Sequence, residues 1–120
     1  MTKGQLEAKI SEAMIKFEKE FMGRGPKEAD TFIIKDVILI RLKGVLTPAE
    51  EQLAKTTEGA LLIKKTRVQL LEGARTLLGN IVTVITGCNI KSLHSDISTK
   101  TGERVIVFVI DQNMESRFWG

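Results

Sequence analysis

The one histidine of this 120-residue chain, His94, stands two positions before Asp96 in a stretch that runs into a polar turn. Residues two apart on a β-strand point to the same face, so a carboxylate at 96 could orient or charge the imidazole at 94. Such a pair can serve as a general base. The alternative is a histidine paired with a neighbouring polar residue for structural reasons. Three serines lie nearby, but no nucleophile-elbow pattern accompanies them.

Two glycine-containing segments are candidate anion sites. In Gly23-Arg24-Gly25-Pro26 the glycines let the backbone approach a ligand, and Arg24 could fork onto a carboxylate, a phosphate or a bicarbonate-like anion. The segment could equally be only a helix stop and a turn. The turn Thr99-Lys100-Thr101-Gly102, together with Arg104, could cradle an anion through its hydroxyls and amides. It matches neither the Walker pattern nor the dinucleotide fingerprint, so nucleotide binding is not predicted.

Neither a metal nor a cofactor is predicted. The chain has a single histidine and a single cysteine, Cys88, and its carboxylates do not cluster. A zinc or non-haem iron centre would therefore lack its usual ligands. A lone cysteine after a helix end is more often a small buried hydrophobe than a nucleophile.

Length and composition predict one soluble domain. Hydrophobic residues make up 42% of the chain and charged residues 28%, which is near the globular average and argues against a disordered chain. The longest apolar run, 37–40, is far too short to cross a bilayer, and a charged segment follows Met1 where an export signal would be apolar. We therefore expect a cytoplasmic protein with a single domain at 1–110 and a loosely ordered tail at 111–120.

The net charge of +3 arises mostly in residues 23–44. Nucleic-acid-binding domains usually carry a stronger basic stripe, so binding through 23–44 and 64–67 is only a minor hypothesis.

Apolar periodicity predicts the elements that must position these residues. Apolar side chains at steps of three and four predict a helix over residues 3–22, with capping-box spacing between Thr2 and Gln5. Residues 31–43 read as a hairpin. Its second strand is apolar on both faces, with Ile38, Ile40 and Leu42 on one and Val37 and Leu39 on the other, so either a helix or a second subunit should cover each face.

A long helical segment follows the first hairpin. Thr47-Pro48-Ala49-Glu50 is a capping box with proline at the first helical position, and Glu58-Gly59 could bend or break the helix that begins there. One apolar face then continues from Leu61 through Val68 to Ile85, a length that is easier to satisfy in a homodimer. A second hairpin follows at 90–97 and 103–110. The order α-β-β-α-β-β predicts an α+β fold with a mainly antiparallel four-stranded sheet packed against the N-terminal helix and one long central helix.

Three stretches, 23–26, 42–50 and 94–108, resemble the signature segments of the MpsC-like family of small bacterial proteins. The resemblance implies a non-catalytic soluble accessory component of membrane systems that couple sodium, membrane potential and inorganic carbon uptake. The positions that it highlights and that we take as candidate ligand-binding residues are Arg24, Gly25, Arg41, His94, Asp96, Thr99, Thr101 and Arg104.

The leading hypothesis is a cytoplasmic, homodimeric accessory or regulatory protein. It would bind the cytoplasmic face of a membrane transport protein, or a small anion. The alternatives are a small enzyme that uses His94 and Asp96 as a general base pair, and a weak nucleic-acid-binding protein.

Overall fold

The computed structural model describes residues 1–119, without the side chain of Trp119. The order of elements confirms the predicted α+β fold, with a helical segment between two hairpins. In chain order the elements are α1 (Lys3–Phe21), β1 (Glu28–Ile34), β2 (Val37–Lys43), α2 (Pro48–Leu53), α3 (Thr57–Gly73), α4 (Arg75–Thr86), β3 (Ile90–Ser98), β4 (Glu103–Ile110) and α5 (Glu115–Trp119).

Capping boxes begin two of the helices, as predicted. The Thr2 hydroxyl accepts a hydrogen bond from the Gln5 amide at 3.1 Å, and the Gln5 side chain accepts one from the Thr2 amide at 2.8 Å. Thr47 and Glu50 repeat this exchange at the start of α2, at 3.1 and 3.0 Å. Each box satisfies two amides that the helix itself leaves unpaired.

The two hairpins join into one antiparallel sheet in the order β1-β2-β4-β3. The helices cover one face of this sheet, which we call the inner face: α1 lies against β1, while α3 and α4 lie against β3. Side chains on the inner face are almost completely buried, among them Ile33, Ile38, Ile40, Ile106 and Phe108. The core therefore lies between a helix layer and one side of the sheet.

The opposite side of the sheet, which we call the outer face, stays open. Phe32 and Ile34 are 46% and 51% exposed there. Val37 and Leu39 of β2 and the valines at 105, 107 and 109 of β4 are half-buried. The apolar pattern predicts a cover over both faces of the sheet. Within residues 1–119, helices cover only the inner face.

The central helical segment is divided into α2, α3 and α4. The Thr56 hydroxyl accepts a hydrogen bond from the Gly59 amide at 3.0 Å, which begins α3, and Ala74 leaves helical geometry at φ −102°, ψ 7°. Because the helix is interrupted at Ala74, the regular spacing that would keep the predicted apolar side chains on one face is lost. The predicted face is wrong in its first half, because Leu61 and Val68 are 64% and 41% exposed. Gly59, Ile63 and Arg67 are buried on α3 instead, whereas Leu71, which the predicted face also includes, is buried as predicted.

The segment after β4 returns to the body of the protein. The Met114 amide donates to the Lys35 carbonyl at 2.8 Å, and the Met114 side chain is fully buried. Arg117 donates to the Thr86 carbonyl at 2.7 Å. Phe118 packs half-buried against the core, whereas the side chain of Trp119 lies outside the described part of the chain.

Gly59→Ala should destabilise the junction between α2 and α3. A Cβ at 59 would stand 1.8 Å from the Leu53 carbonyl oxygen, so the backbone must shift, at a cost of about 1–3 kcal/mol. Gly73→Ala is the matched control, because a Cβ there meets nothing within 4 Å and alanine favours the helix. Urea unfolding should give a lower free energy for the first variant and an equal or higher one for the second. Equal losses in both would contradict the close approach.

Candidate functional site

Three segments that are distant in sequence meet at one end of the sheet. They are 23–26, 44–47 and the turn 99–102, and we call the surface that they form the turn end. Arg24 Nη1 donates to the Leu46 carbonyl at 3.3 Å, which joins the first segment to the second. A backbone hydrogen bond of 3.0 Å from the second segment to the Gly102 carbonyl joins it to the third. Parts of the three signature stretches therefore meet on one surface.

Glycine at 44 is needed for the packing of the turn end. Its φ is +67°, which favours glycine, and a Cβ there would lie 2.7 Å from Cγ and Cδ of Lys27. The Lys27 stem therefore crosses directly over Gly44. Gly25 has a related role, because a Cβ there would lie 3.0 Å from Cε of Lys19. Because neither glycine has a side chain, the aliphatic parts of Lys19 and Lys27 can pack directly against the backbone there.

The turn 99–102 separates two clefts. The smaller has a volume of about 220 Å³ and is lined by Lys27, Gly44, Leu46, Glu51, Thr99, Lys100, Thr101 and Gly102. The larger has a volume of about 550 Å³ and is lined by Lys64, Asp96, Ile97, Ser98, Thr99, Lys100, Thr101, Glu103 and Val105. Thr99 and Thr101, both predicted as site residues, line both clefts. The lining of the smaller cleft has two lysines and one carboxylate, whereas that of the larger has two lysines and two carboxylates.

A buried arginine supports the turn end from below. Arg67 of α3 is 3% exposed, and its guanidinium donates to both carboxylate oxygens of Glu50, at 2.9 and 2.5 Å. It also donates to the Val45 carbonyl at 3.0 Å. One side chain thus ties α3, the start of α2 and the segment 44–47 together. Because a charged residue is expected on the polar surface of a helix, the sequence alone does not predict that Arg67 is buried or that it connects these segments.

A second buried pair lies beside the first. Glu18 of α1 and Arg104 of β4 are each 1% exposed, and Arg104 Nε lies 3.4 Å from Glu18 Oε1. Both carboxylate oxygens of Glu18, and Nε and Nη2 of Arg104, make no hydrogen bond within residues 1–119. Arg104 therefore points into the protein interior and does not join Thr99 and Thr101 around a surface anion.

The pKa values of the two carboxylates in this cluster, Glu18 and Glu50, are shifted in opposite directions. Burial raises the pKa of Glu18 above its ordinary 4.5, against the opposing charges of Arg104 and Arg67. Burial also acts to raise the pKa of Glu50. Hydrogen bonds from Arg67 and Thr47 outweigh it, so that pKa lies below 4.5. Burial lowers the pKa of the Arg104 guanidinium. The cluster therefore holds one well-paired carboxylate and one poorly solvated carboxylate.

His94 and Asp96 share the outer face but do not contact each other. His94 Nε2 lies 3.1 Å from the Ser92 hydroxyl, in an exposed pair. Asp96 accepts a hydrogen bond from the Ile97 amide at 2.8 Å and pairs with Lys64 at 3.2 Å. These contacts, the amide first, lower the Asp96 pKa. Each side chain of the predicted base pair thus has another partner.

Four of the eight basic residues in the segments invoked for nucleic-acid binding are paired with carboxylates. Arg41 contacts Glu103 at 2.9 Å, and that hydrogen bond and charge raise the Arg41 pKa and lower that of Glu103. Lys43 lies 3.6 Å from Glu28. Because Lys64 and Arg67 are paired as well, the two basic segments do not form one unpaired stripe.

Glu18→Gln and Glu50→Gln should change stability with opposite pH dependence. Because the folded pKa of Glu50 is lowered, its ionised form stabilises the fold above pH 4.5, and the advantage over the glutamine variant disappears as pH falls through that folded pKa. Because the folded pKa of Glu18 is raised, the wild type should lose stability relative to Glu18→Gln as pH rises above 4.5. Urea unfolding between about pH 3 and about pH 7, on either side of the ordinary pKa of a glutamate, measures both differences. Parallel trends in the two variants would contradict the assignment.

Comparisons with known proteins bear on all of these segments. A family model described as "Na+-translocating membrane potential-generating system (MpsC)" matches residues 2–112. Uncharacterized protein YbcI of Bacillus subtilis (strain 168) is 43% identical over 114 residues, which cover 95% of this chain and 92% of the relative. Uncharacterized protein YrhF of the same strain is 28% identical over 105 residues, covering 85% of this chain and 84% of the relative. No solved structure shows a significant match.

The resemblance noted in three stretches of the sequence thus extends over nearly the whole chain. Within residues 1–119, no helix combines the length and apolar character that a membrane span needs. The chain belongs to the MpsC family, whose description refers to a Na⁺-translocating membrane potential-generating system.

Proposed function

We propose that this chain is a non-catalytic accessory or regulatory protein of a sodium- and membrane-potential-linked system, and that its turn end binds a small anion. The observation that carries the proposal is that two of the signature segments, 44–47 and 99–102, together line the smaller cleft, while Arg24 of the third is bonded to the Leu46 carbonyl. In this proposal the protein lies in the cytoplasm and reaches the membrane through a transport protein. Binding of the anion at the turn end would regulate that contact.

The chemistry of the smaller cleft favours a compact oxyanion. Lys27 and Lys100 flank it and form no salt bridge within residues 1–119, while Glu51 is the one acidic residue in its lining. Thr99 and Thr101 add hydroxyls that can donate to an oxyanion. Its volume of about 220 Å³ is below the range typical of drug-sized ligands, so a phosphate-sized or bicarbonate-sized anion suits it better than a nucleotide.

The surroundings of His94 support a role without catalysis. A general base needs an orienting partner and a substrate within hydrogen-bond reach. His94 is exposed and pairs with Ser92, while the Asp96 carboxylate is engaged by Lys64. Neither the smaller nor the larger cleft has His94 in its lining.

Replacing Lys100 by alanine should weaken anion binding. The probes are sodium bicarbonate and sodium phosphate, each titrated at constant ionic strength against sodium chloride. Backbone amide NMR shifts report which residues respond. We expect shifts at 99–102 in the wild type and about two- to fivefold weaker binding in Lys100→Ala, since one exposed charge contributes about 0.5–1 kcal/mol.

Lys91→Ala is the matched control, because Lys91 is an exposed lysine of β3 outside both clefts of the turn end. Its binding should equal that of the wild type. Equal losses in the two variants would indicate general charge attraction. An absence of shifts at 99–102 with either probe would refute the anion site.

A further inference from the structure

The smaller cleft at the turn end contains one carboxylate that is not paired with either of its lysines. Glu51 lines the cleft together with Lys27 and Lys100. No salt bridge within residues 1–119 includes any of these three side chains. The cleft therefore presents two cationic groups and one anionic group, in a volume of about 220 Å³ that accommodates a small ligand.

The backbone fixes the positions from which two of these side chains reach the cleft. Glu51 is the residue after Glu50, whose capping box with Thr47 begins α2. The Glu51 amide also donates to the Thr47 carbonyl at 2.9 Å. The stem of Lys27 lies against Gly44, where a Cβ would come within 2.7 Å of it. The carboxylate and one of the cations are therefore attached to well-determined parts of the fold.

We infer that Glu51 makes the turn end selective for an oxyanion that carries a proton, such as bicarbonate or hydrogen phosphate. An ionised carboxylate only accepts hydrogen bonds, so it attracts a hydroxyl group of the bound anion and repels an oxygen without a hydrogen. The lysine ammonium groups donate to the other oxygens, and the hydroxyls of Thr99 and Thr101 can donate or accept. The inference rests on the proposed function, because it concerns the anion that the smaller cleft binds.

The alternative role for Glu51 is only to offset the charge of the two lysines. In that role the carboxylate would weaken the binding of all anions of a given charge by a similar factor, whether or not they carry a proton. A hydrogen bond from the anion to Glu51 instead strengthens only the binding of protonated anions. The two roles therefore differ in the ratio of affinities within a pair of anions of equal charge.

Two pairs of anions separate the effect of the proton from those of shape and charge. Bicarbonate and nitrate are both planar and singly charged, whereas hydrogen phosphate and sulfate are both tetrahedral and doubly charged. Only the first member of each pair has a proton to donate. Each sodium salt is titrated at constant ionic strength and mildly alkaline pH, where these ionic forms dominate. The amide NMR shifts of residues 99–102 report binding, and the pair that binds identifies the shape of the anion.

We expect the wild type to bind the protonated member of a pair about three- to tenfold more tightly, because a hydrogen bond made in exchange for water has a modest net effect. Glu51→Gln should bring the two affinities to within about twofold, because its amide can donate to an anion without a proton. Glu58→Gln is the matched control, since Glu58 also lies in the first turn of a helix, is exposed and lines neither cleft. It should keep the wild-type preference.

The possible failures have different meanings. If nitrate and sulfate bind as tightly as their protonated counterparts, the selectivity is overturned and the anion site stands. If Glu51→Gln strengthens all four anions and keeps the preference, Glu51 only offsets charge and the inference is wrong. An absence of shifts at 99–102 with all four anions refutes the proposed function and this inference with it. Because Glu51 is exposed, the variant should fold, and circular dichroism checks this.

Discussion

The structure of the turn end depends on the buried guanidinium of Arg67. Arg67 is 3% exposed, and an arginine stays charged under all ordinary conditions, so its burial requires partners with well-aligned acceptors. Glu50 and the Val45 carbonyl supply them and thereby fix α2 and the segment 44–47 relative to α3. Removing one partner of such a buried pair typically costs about 3–5 kcal/mol, because the other charge is left uncompensated. Structure at the base of the site is thus specified by charge pairing as well as by apolar packing.

The sequence predicted those parts of the fold whose signals are local. Capping boxes, strand alternation and the polar turns each depend on a few adjacent residues, and the structure confirms them. The buried charges were missed because charge by itself suggested a surface position. A signal was nevertheless present. Glu18 continues the i, i+4 series of Leu6, Ile10 and Met14, and Arg67 lies between Ile63 and Leu71 in a similar series. Arg104 likewise falls in phase with Ile106, Phe108 and Ile110 on β4.

The candidate residues divide according to which side of the sheet they occupy, and spacing alone could not show this. Thr99 and Thr101 lie on the turn end, and Arg24 is fixed there through its bond to the Leu46 carbonyl. Arg41, His94 and Asp96 lie on the outer face, whereas Arg104 is buried on the inner face. The same-face rule for His94 and Asp96 was correct, yet it left open which neighbour each would prefer. Ser92 and Lys64 are the partners that the tertiary structure provides.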